Sequence, residues 1–174
     1  MINKQMTVGY IGNGKSANRY HIPFVLQRQD KIKIKMIYTL DHSRDIWDEI
    51  PGVFYTENLD ELLNDKDIQV IVISTPSAFH YDYAKMVLNA GKHCLVEKPF
   101  MENSAQAKEI FALADEKGLY CSAYQNRRYD SDFLTIQKVI ESGKLGDLLE
   151  LEMHFDYYRP EVPEKINHFD PAMS

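Results

Sequence analysis

The run Val70-Ile71-Val72-Ile73 constrains the fold of this chain more than any other segment. Side chains of a strand alternate between its two faces, so four β-branched residues in succession leave neither face to water. A strand of this kind is central, in a parallel sheet whose two faces are both covered by helices. The rest of the sequence supplies those layers. Apolar runs at Met6–Ile11, 32–39, 53–55, 93–97 and 119–124 read as further strands, and helix-length amphipathic stretches separate them. That alternation predicts an α/β fold with a doubly wound parallel sheet of the Rossmann type.

Local signals set the expected boundaries. A helix follows the first glycines and runs to about Gln29; Asn58 caps a small helix that buries Leu59, Leu62 and Leu63. Another runs from about Ser77 to Gly91, whose position suits a left-handed C-terminal cap. Asn103 opens a further helix with Gln106 as its capping-box partner, turns Ile110, Phe111 and Leu113 inward and stops at Gly118. Beyond residue 124 the pattern changes. A helix over 131–142 presents Phe133, Leu134, Ile136, Val139 and Ile140, and ends at Gly143. Then Leu149, Leu151, Met153, Phe155 and Tyr157 alternate with Glu150, Glu152, His154 and Asp156, a strand with one wet face. From Arg159 on, prolines 160, 163 and 171 and the lack of periodicity read as loop or disorder.

Composition narrows the function classes. Twenty Lys+Arg against 26 Asp+Glu leave a formal charge of −6, the wrong sign for a general binder of nucleic-acid phosphates. Lys31, Lys33 and Lys35 alternate with Ile32, Ile34 and Met36 and read as the solvated face of a strand. No apolar run approaches the ~18 residues of a membrane span, and residues 1–5 lack the apolar core of a signal peptide. A soluble, cytoplasmic protein is expected. Cys94 and Cys121 fall inside strands as small buried residues, and His21, His42, His154 and His168 show no metal-ligand spacing.

The segment Gly9-Tyr10-Ile11-Gly12-Asn13-Gly14-Lys15-Ser16-Ala17 fits two phosphate-binding strings. Gly9 with Gly14-Lys15-Ser16 fits a P-loop, in which Lys15 reaches the terminal phosphates of a nucleotide. Gly12, Gly14 and Ala17 fit the dinucleotide fingerprint: a tight turn, a backbone open to the pyrophosphate, and close helix–strand packing at the start of a helix. The second string leaves the first strand its full length to Ile11. A P-loop also calls for an acidic strand end to hold Mg²⁺, and Val70–Ile73 ends in Ser-Thr-Pro. Asp41 could imitate that acid, but it also lies near the spacing of a ribose-binding acid, roughly 20 residues past the fingerprint.

Further segments resemble one family. Val72-Ile73-Ser74-Thr75-Pro76 with His80, then Glu97-Lys98-Pro99, then Asn126-Arg127-Arg128 with Asp130, are similar in order and position to the Gfo/Idh/MocA oxidoreductases. The resemblance covers essentially the whole chain. It implies an N-terminal domain binding NAD or NADP, and Lys98 as the active-site lysine. It also implies a sugar or polyol substrate. Cofactor contacts are implied at Gly12, Asn13, Gly14, Lys15, Ser16, Ala17, Thr39, Asp41, Ser74, Thr75, Pro76, His80, Glu97, Lys98 and Asn126. Lys98 and Arg127 are the implied substrate contacts, and an ion pair of the arginines with Asp130 fits the sequence equally well. A carboxylate at Asp41 repels a 2′-phosphate and favours NAD, whereas Arg44 could reverse that preference.

Members of that family are about twice as long as these 174 residues. The expectation is therefore a dinucleotide-binding domain over 1–124 and the opening of an incomplete second domain over 125–174. Such an N-terminal portion is expected to bind cofactor and be inactive alone. Its uncovered amphipathic strand should either pair with another chain, giving a homo-oligomer, or leave the chain disordered beyond about Leu148. A dinucleotide-sensing regulator of the same fold is the alternative from a different functional class.

Overall fold

The structure, a computed structural model, describes residues 5–44, 46–154, 156 and 158. Six strands form one sheet: β1 (Met6–Ile11), β2 (Ile32–Tyr38), β3 (Phe54–Thr56), β4 (Val70–Ile73), β5 (His93–Val96) and β6 (Cys121–Ala123). Their order is β3-β2-β1-β4-β5-β6 and every pairing is parallel. The first strand therefore lies at the centre, and the chain winds outward from it in both directions. β1 runs through Ile11, so Gly9 is a strand residue, which removes the P-loop reading.

Burial on both faces follows from the β-branched runs. Ile71 and Ile73 of β4 join Ile11, Met36 and Val96 under helices α2 (Leu59–Asn64), α3 (His80–Asn89) and α4 (Ser104–Glu116). Val72 faces the other way, with Val8, Tyr10, Ile34 and Ile37, under Ala17 and Ile22 at the front of α1 (Ile22–Leu26). A Cβ on Gly9 would stand 2.5 Å from Leu62 Cδ1, so α2 lies close against β1 because that position has no side chain.

The helix caps form largely as their residues predict. Asn58 Oδ1 accepts from Asp60 N at 3.1 Å, and Asn103 Oδ1 accepts from the amides of Ala105 and Gln106. Gln106, however, returns its bond to the amide of Glu102 rather than closing a box on Asn103. Gly91, Gly118 and Gly143 take the left-handed conformation after their helices.

Several expectations are corrected. The helix expected to reach Gln29 does form, without a gap from 15 to 26, but its middle is a π turn over Ala17–His21 and only α1 follows, the chain turning from Gln27 onward. In α4 Ile110 and Ala114 are buried and Leu113 packs partly buried against the same core, but Phe111 is exposed and stacks on Phe100 at the helix edge. Lys35 is not merely solvated: its ammonium bridges Asp65 and Asp67, both at 2.7 Å. Residues 149–154, 156 and 158 form no strand, since no neighbouring strand offers them a ladder. Phe155, Tyr157 and the prolines beyond 159 lie outside the described residues. The preceding helix does form, as α5 (Ser131–Glu141), with none of its residues buried.

Candidate functional site

Three ladder bonds bring four strand ends together. Ser74 N donates to Ile11 O, Glu97 N to Ile73 O and Tyr124 N to Val96 O, so the segments after β1, β4, β5 and β6 open side by side at the carboxyl edge of the sheet. That edge is where a doubly wound sheet offers its crevice.

The glycine loop begins at Gly12, which has φ +102° and would place a Cβ 2.5 Å from the carbonyl oxygen of Ser74. Only glycine allows both the turn and that approach. Gly14 is different: a Cβ there meets no atom within 4 Å, so the space in front of it is open. Asn13 is buried, and its Oδ1 accepts from Asn18 Nδ2 at 2.9 Å, which folds the loop onto the turn behind it. Lys15 is exposed. The Ser16 hydroxyl turns inward and donates to Glu97. Ala17, fully buried, brings the turn against the sheet.

The end of β4 presents two unusual atoms. Ser74 Oγ and Thr75 Oγ1 are buried and have no hydrogen-bond partner among the described residues. Buried hydroxyls are nearly always bonded, so two orphans side by side mark a place built for another polar group. Pro76 comes next and starts the turn Ser77–Phe79. His80, expected beside the ribose, is buried with Nε2 3.0 Å from Thr75 O and Nδ1 2.9 Å from Pro99 O. Its ring ties the loop after β4 to the loop after β5.

Glu97 is the buried acid of the site. Its carboxylate accepts from His21 Nε2 at 2.9 Å, from Ser16 and, through Oε2, from the Lys98 amide at 2.9 Å. Burial pushes the carboxyl up, but these donors outweigh it and hold Glu97 below the usual carboxylate range. Lys98 itself is exposed and its peptide bond to Pro99 is cis.

After β2, Thr39 is buried and donates its amide to Thr56 O at 3.0 Å. Asp41 Oδ1 accepts from the amide and hydroxyl of Ser43. The Arg44 side chain lies outside the described part of the structure. Asn126 opens the turn Asn126–Tyr129, and Arg127 pairs with Asp130 at 2.8 Å on an exposed edge. A cleft of about 640 Å³ lies beside that turn, between Phe24, Leu95, Ser122, Tyr124 and Asn126.

The site gathers the glycine loop, Ser74, Thr75, Glu97 and Lys98, and places Thr39 and Asp41 toward one end and Asn126 toward the other. Sequence reasoning missed His21 and Tyr124, whose rings stack at 3.9 Å inside it. The signal available for His21 was its helical spacing from Ala17, which puts both on the inward side of the turn.

An open sheet crevice, a glycine turn that only a missing side chain permits and a pair of orphaned hydroxyls define a dinucleotide-binding domain of the Rossmann type. Residues 6–125 match GFO_IDH_MocA, the oxidoreductase family with an NAD-binding Rossmann fold. The chain belongs to that family. It is 50% identical over 157 residues to the Escherichia coli (strain K12) uncharacterized oxidoreductase YhhX, a match covering 90% of this chain and 46% of that protein. It is 36% identical to scyllo-inositol 2-dehydrogenase (NADP(+)) IolW of Bacillus subtilis (strain 168), over 89% of this chain and 43% of that one. A crystal structure of the probable oxidoreductase yhhX superposes with a TM-score of 0.86 at 48% identity, covering 92% of this chain and 47% of that chain. The chain thus spans about half the length of the relatives it matches.

Proposed function

We propose that this chain is the cofactor-binding portion of an NAD(P)-dependent oxidoreductase that moves hydride between a nicotinamide ring and a hydroxyl or ketone of a sugar or cyclitol. The pair of orphaned hydroxyls on Ser74 and Thr75 carries this reading, because they lie where the carboxyl edge of the sheet meets Gly12. They suit the hydroxyls of a nicotinamide ribose, with Pro76 beside them and His80 holding the loop from behind.

In this reading the backbone from Gly12 through Ser16 receives the pyrophosphate, aided by the open space at Gly14 and the exposed Lys15 ammonium. Ala17 keeps the turn close enough for its amides to face the phosphates. Thr39 and Asp41 take the adenosine ribose. A bound dinucleotide supplies the hydride acceptor or donor. Glu97 fixes the backbone of Lys98, whose ammonium donates a hydrogen bond to the reacting oxygen and holds or delivers its proton at Nζ. Asn126 and Arg127 lie where the chain leaves the sheet, within reach of cofactor or substrate.

The carboxylate at Asp41 supports NAD over NADP, although IolW is described as using NADP(+). Titrating the chain with NADH, NADPH and ATP–Mg²⁺ tests both levels of the reading. We expect saturable binding of both dinucleotides, with NADH tighter, and no ATP selectivity; Asp41→Ser should narrow the gap between the two. Failure of both dinucleotides to bind overturns the function, and tighter NADPH binding overturns the NAD preference alone.

The same reading divides the chain near residue 124 and takes 125–174 as the opening of a substrate domain. It places the protein in the cytoplasm, and no helix among the described residues is long and apolar enough to cross a membrane. The bare apolar face of α5 supports self-association of the 174-residue chain.

A further inference from the structure

His21 closes the five-residue π turn Ala17–His21. Such a turn holds an extra residue and recurs at functional sites. Here the imidazole points inward, the residue is only 4% exposed and Nε2 lies 2.9 Å from Glu97 Oε1. The Ser16 hydroxyl reaches the same oxygen, and the Lys98 amide reaches the other one. Around the imidazole, Tyr124 stacks with ring planes 29° apart and Tyr10 meets it edge-on at 6.1 Å. Tyr124 in turn donates its hydroxyl to Tyr20 O at 2.7 Å, so the segment after β6 is tied to the π turn as well.

One buried carboxylate therefore joins three pieces of the site: the phosphate loop through Ser16, the π turn through His21, and the lysine-bearing strand end through its own neighbour. An ionised carboxylate only accepts, so His21 donates through Nε2, and it keeps that donor whether or not Nδ1 also carries a proton. β5 is only four residues long, and beyond it the Glu97 amide makes a last ladder bond to Ile73 O at 3.0 Å. Past that bond, the Glu97 carboxylate takes over from the ladder and holds the Lys98 backbone through its amide.

We propose that His21 is a positioning residue, which locks the Glu97-Lys98 strand end to the phosphate loop and so sets where Lys98 stands relative to a bound dinucleotide. This rests on the site being the dinucleotide site proposed above. Without the imidazole donor, Glu97 keeps fewer partners in the same buried place, and its charged form becomes harder to maintain. Once it takes up a proton or swings away, the Lys98 amide loses its acceptor and Ser16 loses its anchor. Among the described residues, the titratable groups acting on Glu97 besides His21 include Tyr124, while Lys98 reaches it through its backbone amide and Tyr10 faces the imidazole.

The test compares the unmodified chain with His21→Phe, which keeps the ring stacking but has no donor, and with His21→Gln, whose amide restores one. His21→Asn, too short to reach, replaces the Phe variant if that one does not fold. Lys92→Met serves as a control for general loosening, because Lys92 bonds the carbonyls of Asp65 and Ile68 at the opposite end of the sheet. NADH and NADPH titrations are run from pH 5.5 to 8, and the Lys98 and Ser16 amides are followed by ¹H–¹⁵N NMR. We expect His21→Phe to weaken dinucleotide binding by about tenfold, the order of one lost bond to a charged group. Its affinity should also fall further toward acid pH as Glu97 protonates, and both amides should shift. His21→Gln should recover most of the affinity and flatten the pH profile; Lys92→Met should change neither. Unchanged binding and amides in His21→Phe, a Gln variant as weak as Phe, or an equal loss in Lys92→Met each overturn the proposal. If no variant and not even the unmodified chain binds dinucleotide, the functional reading fails, while the Lys98 and Ser16 amides still decide the role of His21.

Discussion

At the scale of single residues, position 12 is the least replaceable in the site. Gly12→Ala adds a Cβ at 2.5 Å from a backbone oxygen and puts a side chain at φ +102°. The neighbour is main chain, so it cannot swing aside. We expect a loss of about 1–3 kcal/mol in stability, the range for a forced backbone conformation, and loss of dinucleotide binding, checked by urea unfolding and NADH titration. Gly14→Ala has open space and ordinary backbone, so its fold should persist while the pyrophosphate contact proposed there weakens. Much of this was legible in the sequence, because a glycine string after an apolar strand has few uses. The contact between His21 and Glu97 was not, since the two are 76 positions apart and only the strand order brings them together. Likewise, no sequence signal could tell that His80 directs both ring nitrogens at carbonyls, since those belong to two different loops.

Among the elements, strands were easier to read than helices. β1 and β4 coincide with their apolar runs because β-branched residues bury wherever a sheet has two covered faces. The π turn has no compositional mark, so a continuous helix was the natural reading of 17–29. The opposite end of the sheet, away from the site, holds a polar strut. Asp65 receives Lys35 at 2.7 Å and the amides of Asp67 and Ile68, and its backbone carbonyl receives Lys92. Burial pushes the Asp65 carboxyl up, yet Lys35 and the two amides hold it below its ordinary value. A depressed carboxylate stabilises the fold above its unfolded pKa of ~3.9 and loses that contribution as pH falls through its folded value. Asp65→Asn should therefore destabilise the chain near neutrality and flatten the acid side of its stability curve, measured by urea midpoints between pH 3 and 7. Since the strut is remote from Gly12 and Lys98, dinucleotide affinity of the folded variant should not change.

At the scale of the molecule, the sheet is finished but α5 is bare. Leu134, Val139 and Ile140 are exposed on it, and Leu145, Leu148 and Leu151 line an apolar hollow of about 250 Å³ beside it. We expect the 174-residue chain to associate with itself in a concentration-dependent way by sedimentation, and Val139→Glu with Leu148→Glu to restore the monomer. A chain that sediments as monomer at every concentration contradicts this. The period-two pattern from Leu149 was legible as chemistry but not as structure at the described residues 149–154 and 156, because a strand exists only when a second backbone answers it. The strand order β3-β2-β1-β4-β5-β6 carries one more consequence. On the ribosome, the central strand precedes β4 and waits for it, and the carboxylate that fastens the glycine loop is not made until residue 97. The cofactor crevice is thus assembled late from a loop made early, and stalled nascent chains should gain protection from protease by NADH only after Glu97 and Tyr124 have cleared the exit tunnel.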